Sequence, residues 1–267
     1  MQLIDIKSII KSKTNKKIPN FVVAIIEKIL CLKRVNGIIL KYGCDNQGVD
    51  FANRVLEELN ITTSILGLEN IPENEQLIFT SNHPLGALEA LAIAKYLGQK
   101  FGNEHIKFIT NEILSYIEPL KNIFTPVTVG ANKQNKEKIE NIEKLFMSDN
   151  QIIMFPSGTV ARKIKGTVQD SEWKKMFIAK ARQYRRNIVP VHCSGRCSNF
   201  FLYFSNFRKF LGIKINIEQI FFPREMFKQK NSTINIKIGK SISYKTFTTD
   251  KTDFEYAQQI RKKVYEI

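Results

Sequence analysis

The chain has 267 residues, 43% of them hydrophobic, enough for a sizeable core, which excludes a largely disordered protein. Its 41 basic and 25 acidic residues leave a formal charge of +16, so an anionic partner is expected: nucleic acid, an anionic membrane surface or phosphorylated substrates. No zinc-finger, helix-turn-helix or RNA-recognition signature accompanies the charge, so nucleic acid is not expected, and no run reaches the roughly 18 apolar residues of a bilayer span.

Residues 1–60 read as helical. An opening piece comes first, with basic residues concentrated at 7–17. A helix near 20–34 follows, with apolar positions at 21, 22, 25, 26, 29 and 32 and basic flanks at Lys16-Lys17 and Lys33-Arg34. That helix either lies in a membrane interface or packs on the core. A third helix spans 49–59 and ends at Asn60. Residues 61–66 alternate like a strand, 77–80 read as a short buried strand, and 86–97 as a helix closed by Gly98. A strand is expected at 107–110, a helix broken by Pro119 at 112–123, and a polar-apolar helix at 133–146. Residues 151–155 form a strand stopped by Pro156. A strongly basic helix covers 172–184 and a strand 188–192. The aromatic-rich stretch 200–210 reads as a helix lining an apolar groove. Residues 233–238 alternate as a strand near an edge does, and 253–265 close the chain as a helix. Strands alternating with helices predict an α/β layered domain over 61–267, behind the helical region 1–60.

The densest chemistry lies in Ser81-Asn82-His83-Pro84-Leu85-Gly86-Ala87-Leu88-Glu89. One of only three histidines follows a buried strand directly, and a carboxylate stands at the start of the next helix. Asn82 and Gly86 permit a tight, exposed backbone, and Pro84 holds off the helix until after His83. A neutral imidazole whose proton faces a carboxylate offers its other nitrogen as a general base. The plainer readings are a structural histidine and a solvated glutamate. A second cluster is Phe155-Pro156-Ser157-Gly158-Thr159-Val160-Ala161-Arg162-Lys163. Small residues after a strand expose backbone N–H groups, and two cations follow, a combination that binds anions. An ordinary loop with surface cations has the same composition. The strand and turn at 188–195 form either the wall of a site or core. The pair Cys193 and Cys197 lacks zinc-knuckle spacing and a second ligand pair, so no metal is expected. The N-terminus shows no signal-peptide pattern, and reduced thiols are the expectation for the four cysteines.

Four pieces occur in order: Asn82-His83 with a following acid, a Pro119/Pro126 stretch, Phe155-Pro156-x-Gly158-Thr159, and Val189-Pro190-Val191. Together they resemble the four blocks of the glycerolipid acyltransferase family, which includes glycerol-3-phosphate and lysophosphatidic acid acyltransferases. The resemblance implies a mixed β-sheet flanked by helices. It implies that His83 deprotonates an acceptor hydroxyl, that Glu89 orients it, and that acyl-CoA or acyl-carrier protein is the donor, with no further cofactor. Backbone N–H groups near Gly158 would hold the oxyanion. Substrate contacts would come from Asn82, Gly86, Phe155, Pro156, Ser157, Gly158, Thr159, Arg162, Lys163 and Lys174. The product would be a membrane lipid made at the cytoplasmic face of the inner membrane by a peripheral or monotopic protein.

The chain departs from the family pattern. The usual Asp would stand at position 88, where this chain has Leu88, and the acid is Glu89. Ser157 replaces the usual glutamate of the third block, Arg162 stands later than the usual arginine, and 124–132 contain no arginine. These features, with Trp173-Lys174-Lys175 and Ser194-Gly195-Arg196-Cys197-Ser198-Asn199-Phe200-Phe201, resemble a divergent branch often labelled hemolysins, some of which acylate amino-acid lipids. The alternatives are an acyltransferase of amino-acid lipids rather than phospholipids, or a catalytically lapsed membrane-binding protein on the same scaffold.

Overall fold

The computed structural model describes residues 3–5, 7, 19–111, 114, 116–127, 136–213 and 216–267. The expected opening helical piece with most of its basic cluster, part of the 112–123 element and the start of the 133–146 helix lie outside the described residues.

Seven strands form one sheet, in the order β1 (Thr62–Leu66), β9 (Thr233–Ile238), β8 (Asn187–Cys193), β2 (Leu77–Ser81), β5 (Gln151–Met154), β3 (Ile106–Asn111) and β4 (Phe124–Val127). All neighbours are parallel except β8 and β9. Every residue of β2 is buried, as expected for a central strand covered on both faces. Its alternate side chains feed two cores. Leu77 and Phe79 join Val49, Phe51, Leu97, Val189 and Ile236 on one face. Ile78 joins Trp173, Phe177, Ile188, Tyr256 and Ile260 on the other.

Helices α1 (Asn20–Ile29), α2 (Leu32–Tyr42), α3 (Val49–Glu58) and α4 (Leu88–Phe101) precede the central strands or connect them. The single helix expected at 20–34 is divided by Cys31, whose φ of +49° breaks the ladder between α1 and α2. Helix α4 runs through Gly98 and stops at Gly102, φ +92°. Gly98 serves packing instead: a Cβ there would lie 2.8 Å from Val49 Cγ1 on α3. Strand β9 lies near the edge, one strand in, between β1 and β8; its alternation comes from Ile234, Ile236 and Ile238 pointing into the core while the intervening residues stay exposed. The basic helix expected from 172 starts at Met176, as α6 (Met176–Tyr184), because Trp173 is buried and hydrogen-bonded to Asp170.

Helix α5 (Lys136–Met147) and the closing α9 (Asp253–Glu266) follow their expected periodicity. The N-terminus of α9 carries a reciprocal capping box between Thr252 and Glu255. Elements without a sequence forecast are β4, the hairpin β6 (Arg162–Ile164) with β7 (Thr167–Gln169), and α8 (Phe222–Lys228). Strand β4 is short and contains Pro126, which an edge strand tolerates. The aromatic stretch forms α7 (Asn199–Phe210), capped by the Ser198 side chain. Among the described residues no helix is long and apolar enough to cross a membrane.

Gly98→Ala tests the α3–α4 contact. Alanine favours a helix by about 1 kcal/mol, but overpacking against the stiff Val49 costs about 1–3 kcal/mol. A net loss of up to about 2 kcal/mol and a lower melting temperature are expected in denaturant and thermal unfolding; a more stable variant would refute the close packing.

Candidate active site at the strand ends

Strands β8, β2 and β5 are adjacent and mutually parallel. Their carboxyl ends therefore emerge on one side of the sheet, where open α/β sheets bind ligands. This brings together three segments distant in sequence: the His83 turn after β2, the Phe155 loop after β5, and Cys193 at the end of β8.

His83 is held on all sides. Its Nδ1 lies 2.8 Å from Glu89 Oε1. Its ring stacks on Phe155, with centroids 4.3 Å apart. Its carbonyl accepts from Ala161 N at 2.7 Å, and its N–H donates to Asp170 Oδ1 at 3.2 Å. The imidazole is 16% exposed, whereas the Glu89 side chain is fully buried. Glu89 Oε1 also accepts from the backbone N–H groups of Leu85 and Gly86, each at 2.9 Å. Burial opposes the Glu89 charge, but the His83 charge and hydrogen bond and the two backbone donors outweigh it, holding the carboxyl below its ordinary pKa. In the neutral ring, a carboxylate acceptor favours the proton on Nδ1 and leaves the lone pair on Nε2.

The turn makes this reach possible. Gly86 takes φ +89°, and a Cβ on it would come 3.1 Å from the Phe222 ring. Ala87 caps α4, so Glu89 sits in the first helical turn, where a negative charge is favoured. Leu88 is a fully buried core residue.

The other expected site residues divide into two groups. Asn82 is buried and clamps β8: its side chain donates to the Cys193 carbonyl at 2.9 Å and accepts from Cys193 N at 2.7 Å. Ser157 Oγ donates to the Thr159 carbonyl at 2.7 Å, and the Pro156 carbonyl accepts from Lys174 N at 2.9 Å. The Gly158 N–H donates to the Phe155 carbonyl at 2.9 Å, so that particular N–H is engaged within its own turn. Arg162 does not face solvent. Its side chain is 4% exposed, and its guanidinium pairs with Glu218 at 2.8 Å, donates to the Val160 and Ala161 carbonyls and covers the Phe201 ring. Glu218 also pairs with Arg208 at 2.7 Å. The expected anion ligand at 162 is thus an internal strut. Lys174 remains exposed, and its Nζ lies 2.9 Å from where a Gly158 Cβ would stand. Lys163 lies over Tyr203, at 5.1 Å. Thr159 Oγ1 is 3.4 Å from Ser171 Oγ.

Asp170 escaped the sequence reading. It is fully buried, and its Oδ2 accepts from Trp173 Nε1 at 2.9 Å while Oδ1 accepts from the His83 backbone. Burial raises its pKa to about 6 against these stabilising partners. The one available signal was the only tryptophan, three residues later. Cys193 and Cys197 are buried as well; Cys193 Sγ accepts from Ser81, and Cys197 Sγ faces the Pro84 and Leu85 carbonyls.

Comparison with known proteins matches residues 9–267 to the family described as Acyltransferase. The lyso-glycine lipid O-acyltransferase of Phocaeicola vulgatus is 38% identical over 268 residues, spanning 99% of this chain and 95% of its own. The protein of the same name from Bacteroides thetaiotaomicron is 37% identical, spanning 99% and 97%. Among solved structures, the 1-acyl-sn-glycerophosphate acyltransferase PlsC from Thermotoga maritima is 19% identical, covers 92% of each chain and superposes with a TM-score of 0.47.

Asp170 gives a pH signature. Its folded pKa of about 6 exceeds the ordinary 3.8, so between these values the folded protein keeps a proton that the unfolded chain has lost. Its contribution to stability therefore falls as pH rises through that window, by up to about 3 kcal/mol. Denaturant titrations of wild type and Asp170→Asn from about pH 4 to pH 7 are expected to show wild type losing stability relative to the variant; a flat or rising difference would contradict the assignment.

Proposed function

This chain belongs to the acyltransferase family, and from that premise we propose that it moves a fatty acyl group from an acyl thioester to the hydroxyl of a lyso-amino-acid lipid, with His83 as general base. The observation that carries the mechanism is the His83 Nδ1–Glu89 Oε1 contact of 2.8 Å, made by a carboxylate that two backbone donors also fix.

The acceptor hydroxyl gives its proton to His83 Nε2 as its oxygen attacks the thioester carbonyl carbon. The C–O bond forms, and the carbonyl electrons move onto oxygen. Collapse of that intermediate breaks the C–S bond, and the leaving thiolate takes the proton back from the imidazolium. Glu89 holds the ring in place and stabilises its transient positive charge, the role a carboxylate plays in serine-hydrolase triads. In this reading the donor thioester is that of acyl-CoA or acyl-carrier protein, and the reaction takes place at the cytoplasmic face of the inner membrane. The intact dyad weighs against a lapsed scaffold.

Two observations support an amino-acid head group over a phosphate. The full-length relatives carry lyso-glycine lipid in their names. The guanidinium at 162, suited to bidentate phosphate recognition, is engaged by Glu218 instead. Lys174, a point charge over the Gly158 turn, is a cation placed to meet a head-group anion.

His83→Ala is expected to lower kcat by about 10²- to 10⁴-fold, and Glu89→Gln, which removes the charge but keeps the shape, by about 10²-fold or more. Turnover of a synthetic lyso-glycine lipid with acyl-CoA, followed by mass spectrometry, checks both. Wild-type turnover by His83→Ala would discard the base, and a preference for lysophosphatidic acid as acceptor would discard the head-group assignment.

A further inference from the structure

The outer side of helix α7 is mostly aromatic, where that of an ordinary surface helix is polar. Its inward residues Phe201, Leu202, Ser205 and Arg208 are buried. Outward, Phe200, Tyr203, Phe207 and Phe210 recur at helical spacing and are 42%, 58%, 59% and 85% exposed. Leu211 and Ile217 extend the same apolar run, at 54% and 41%. A contiguous exposed apolar patch marks an interaction surface.

Cations border this patch. Arg224 and Lys228 lie 4.8 and 5.9 Å from the Phe200 ring centre, and Lys163 lies 5.1 Å from that of Tyr203. Lys209 is exposed between Phe207 and Phe210. The patch is rigidly mounted. Arg162 and Arg208 both pair with buried Glu218, and Glu225 accepts from Ser198 N and Oγ at 2.6 and 2.8 Å, tying α8 to the start of α7. The helix that carries it stands beside the His83 turn, because Phe222 packs on the buried Phe201, with rings 5.5 Å apart, and closes over Gly86.

We propose that the outward face of α7, with Leu211 and Ile217, is the surface by which this protein docks on an anionic lipid bilayer, laying the helix in the interface beside the His83 site. The proposal rests on the reading of a lyso-lipid acceptor, which must be drawn from a membrane. Twelve residues span about 18 Å, short of a hydrocarbon core of about 30 Å, so the helix lies in the plane of the interface rather than crossing it. The rings enter the acyl boundary while the bordering lysines and arginines meet lipid phosphates. A second copy of the chain is a poorer occupant, because the same cations would face each other across a symmetric interface.

The test uses the full chain with Phe207→Ser/Phe210→Ser/Leu211→Ser, and Phe21→Ser/Ile25→Ser on α1 as a comparison. Flotation is measured with phosphatidylglycerol-containing and pure phosphatidylcholine vesicles, and acyl transfer with the acceptor in vesicles or dispersed in detergent micelles. The α7 variant is expected to lose about tenfold or more in binding to the anionic vesicles, to lose turnover on vesicle-borne acceptor in proportion, and to keep turnover in micelles. Wild-type binding should weaken on neutral vesicles and with added salt. Phe210→Trp gives an independent readout: against the constant background of buried Trp173, the emission of the introduced indole is expected to shift blue on anionic vesicles. Wild-type flotation by the α7 triple variant, an unshifted emission from Phe210→Trp, or light scattering that shows the face holding a dimer without affecting flotation would overturn the proposal. Absence of acyl transfer by wild type in micelles would instead defeat the acyltransfer reading, while flotation still decides the docking surface.

Discussion

A fully buried carboxylate costs several kcal/mol unless its charge is matched and its oxygens receive donors. Glu89 meets that cost through one oxygen, which takes the His83 ring and the Leu85 and Gly86 N–H groups. The other oxygen has no hydrogen-bond partner among the described residues, so the compensation is concentrated on the side that faces the histidine. The surrounding structure follows from this requirement. Gly86 needs a positive φ for the two N–H groups to converge, α4 must begin at Leu88 for the carboxylate to sit in its first turn, and β2 must be central and buried to hold His83 in register with β5 and β8.

A second buried charge group organises the other side. Burial opposes the Glu218 charge, but hydrogen bonds and two guanidinium groups hold its pKa below the ordinary value. Arg162 and Arg208 belong to segments with no shared strand pairing, so Glu218 acts as the joint between the β6 hairpin, α7 and the segment before α8. An arginine used in this way stiffens the loop that carries Ser157 to Thr159 rather than contacting a ligand. The loop's remaining freedom is small, because Ser157, Gly158 and Pro156 each hydrogen-bond locally or to Lys174.

The sequence made the His83 turn, the Phe155 loop and most helices and strands legible because they are local. Periodicity reports which face is buried, and Pro and Gly report where a turn falls. What it hid were contacts between segments far apart along the chain. Arg162 and Glu218 are 56 residues apart, so nothing at position 162 distinguishes a strut from an anion ligand. Asp170 follows a three-residue strand too short for any period to reveal, yet it holds the His83 backbone from 87 residues away. Gly98 reads as a helix stop by propensity but is retained inside α4 by the approach of Val49. The break at Cys31 has no glycine or proline to announce it.

The shift of the acid from position 88 to 89 follows from the same physics. Position 88 begins α4 and points into the core, where Leu88 is fully buried; a carboxylate there would lack the turn donors. Position 89 lies about 100° further round the helix, toward the Pro84–Gly86 turn, and the longer side chain of glutamate covers the remaining distance to Nδ1. The apolar neighbour and the displaced acid are thus a matched pair. The turn that separates them from His83 is closed by Phe222, which also packs on Phe201 of α7, so one aromatic side chain touches both the His83 turn and the buried side of that helix.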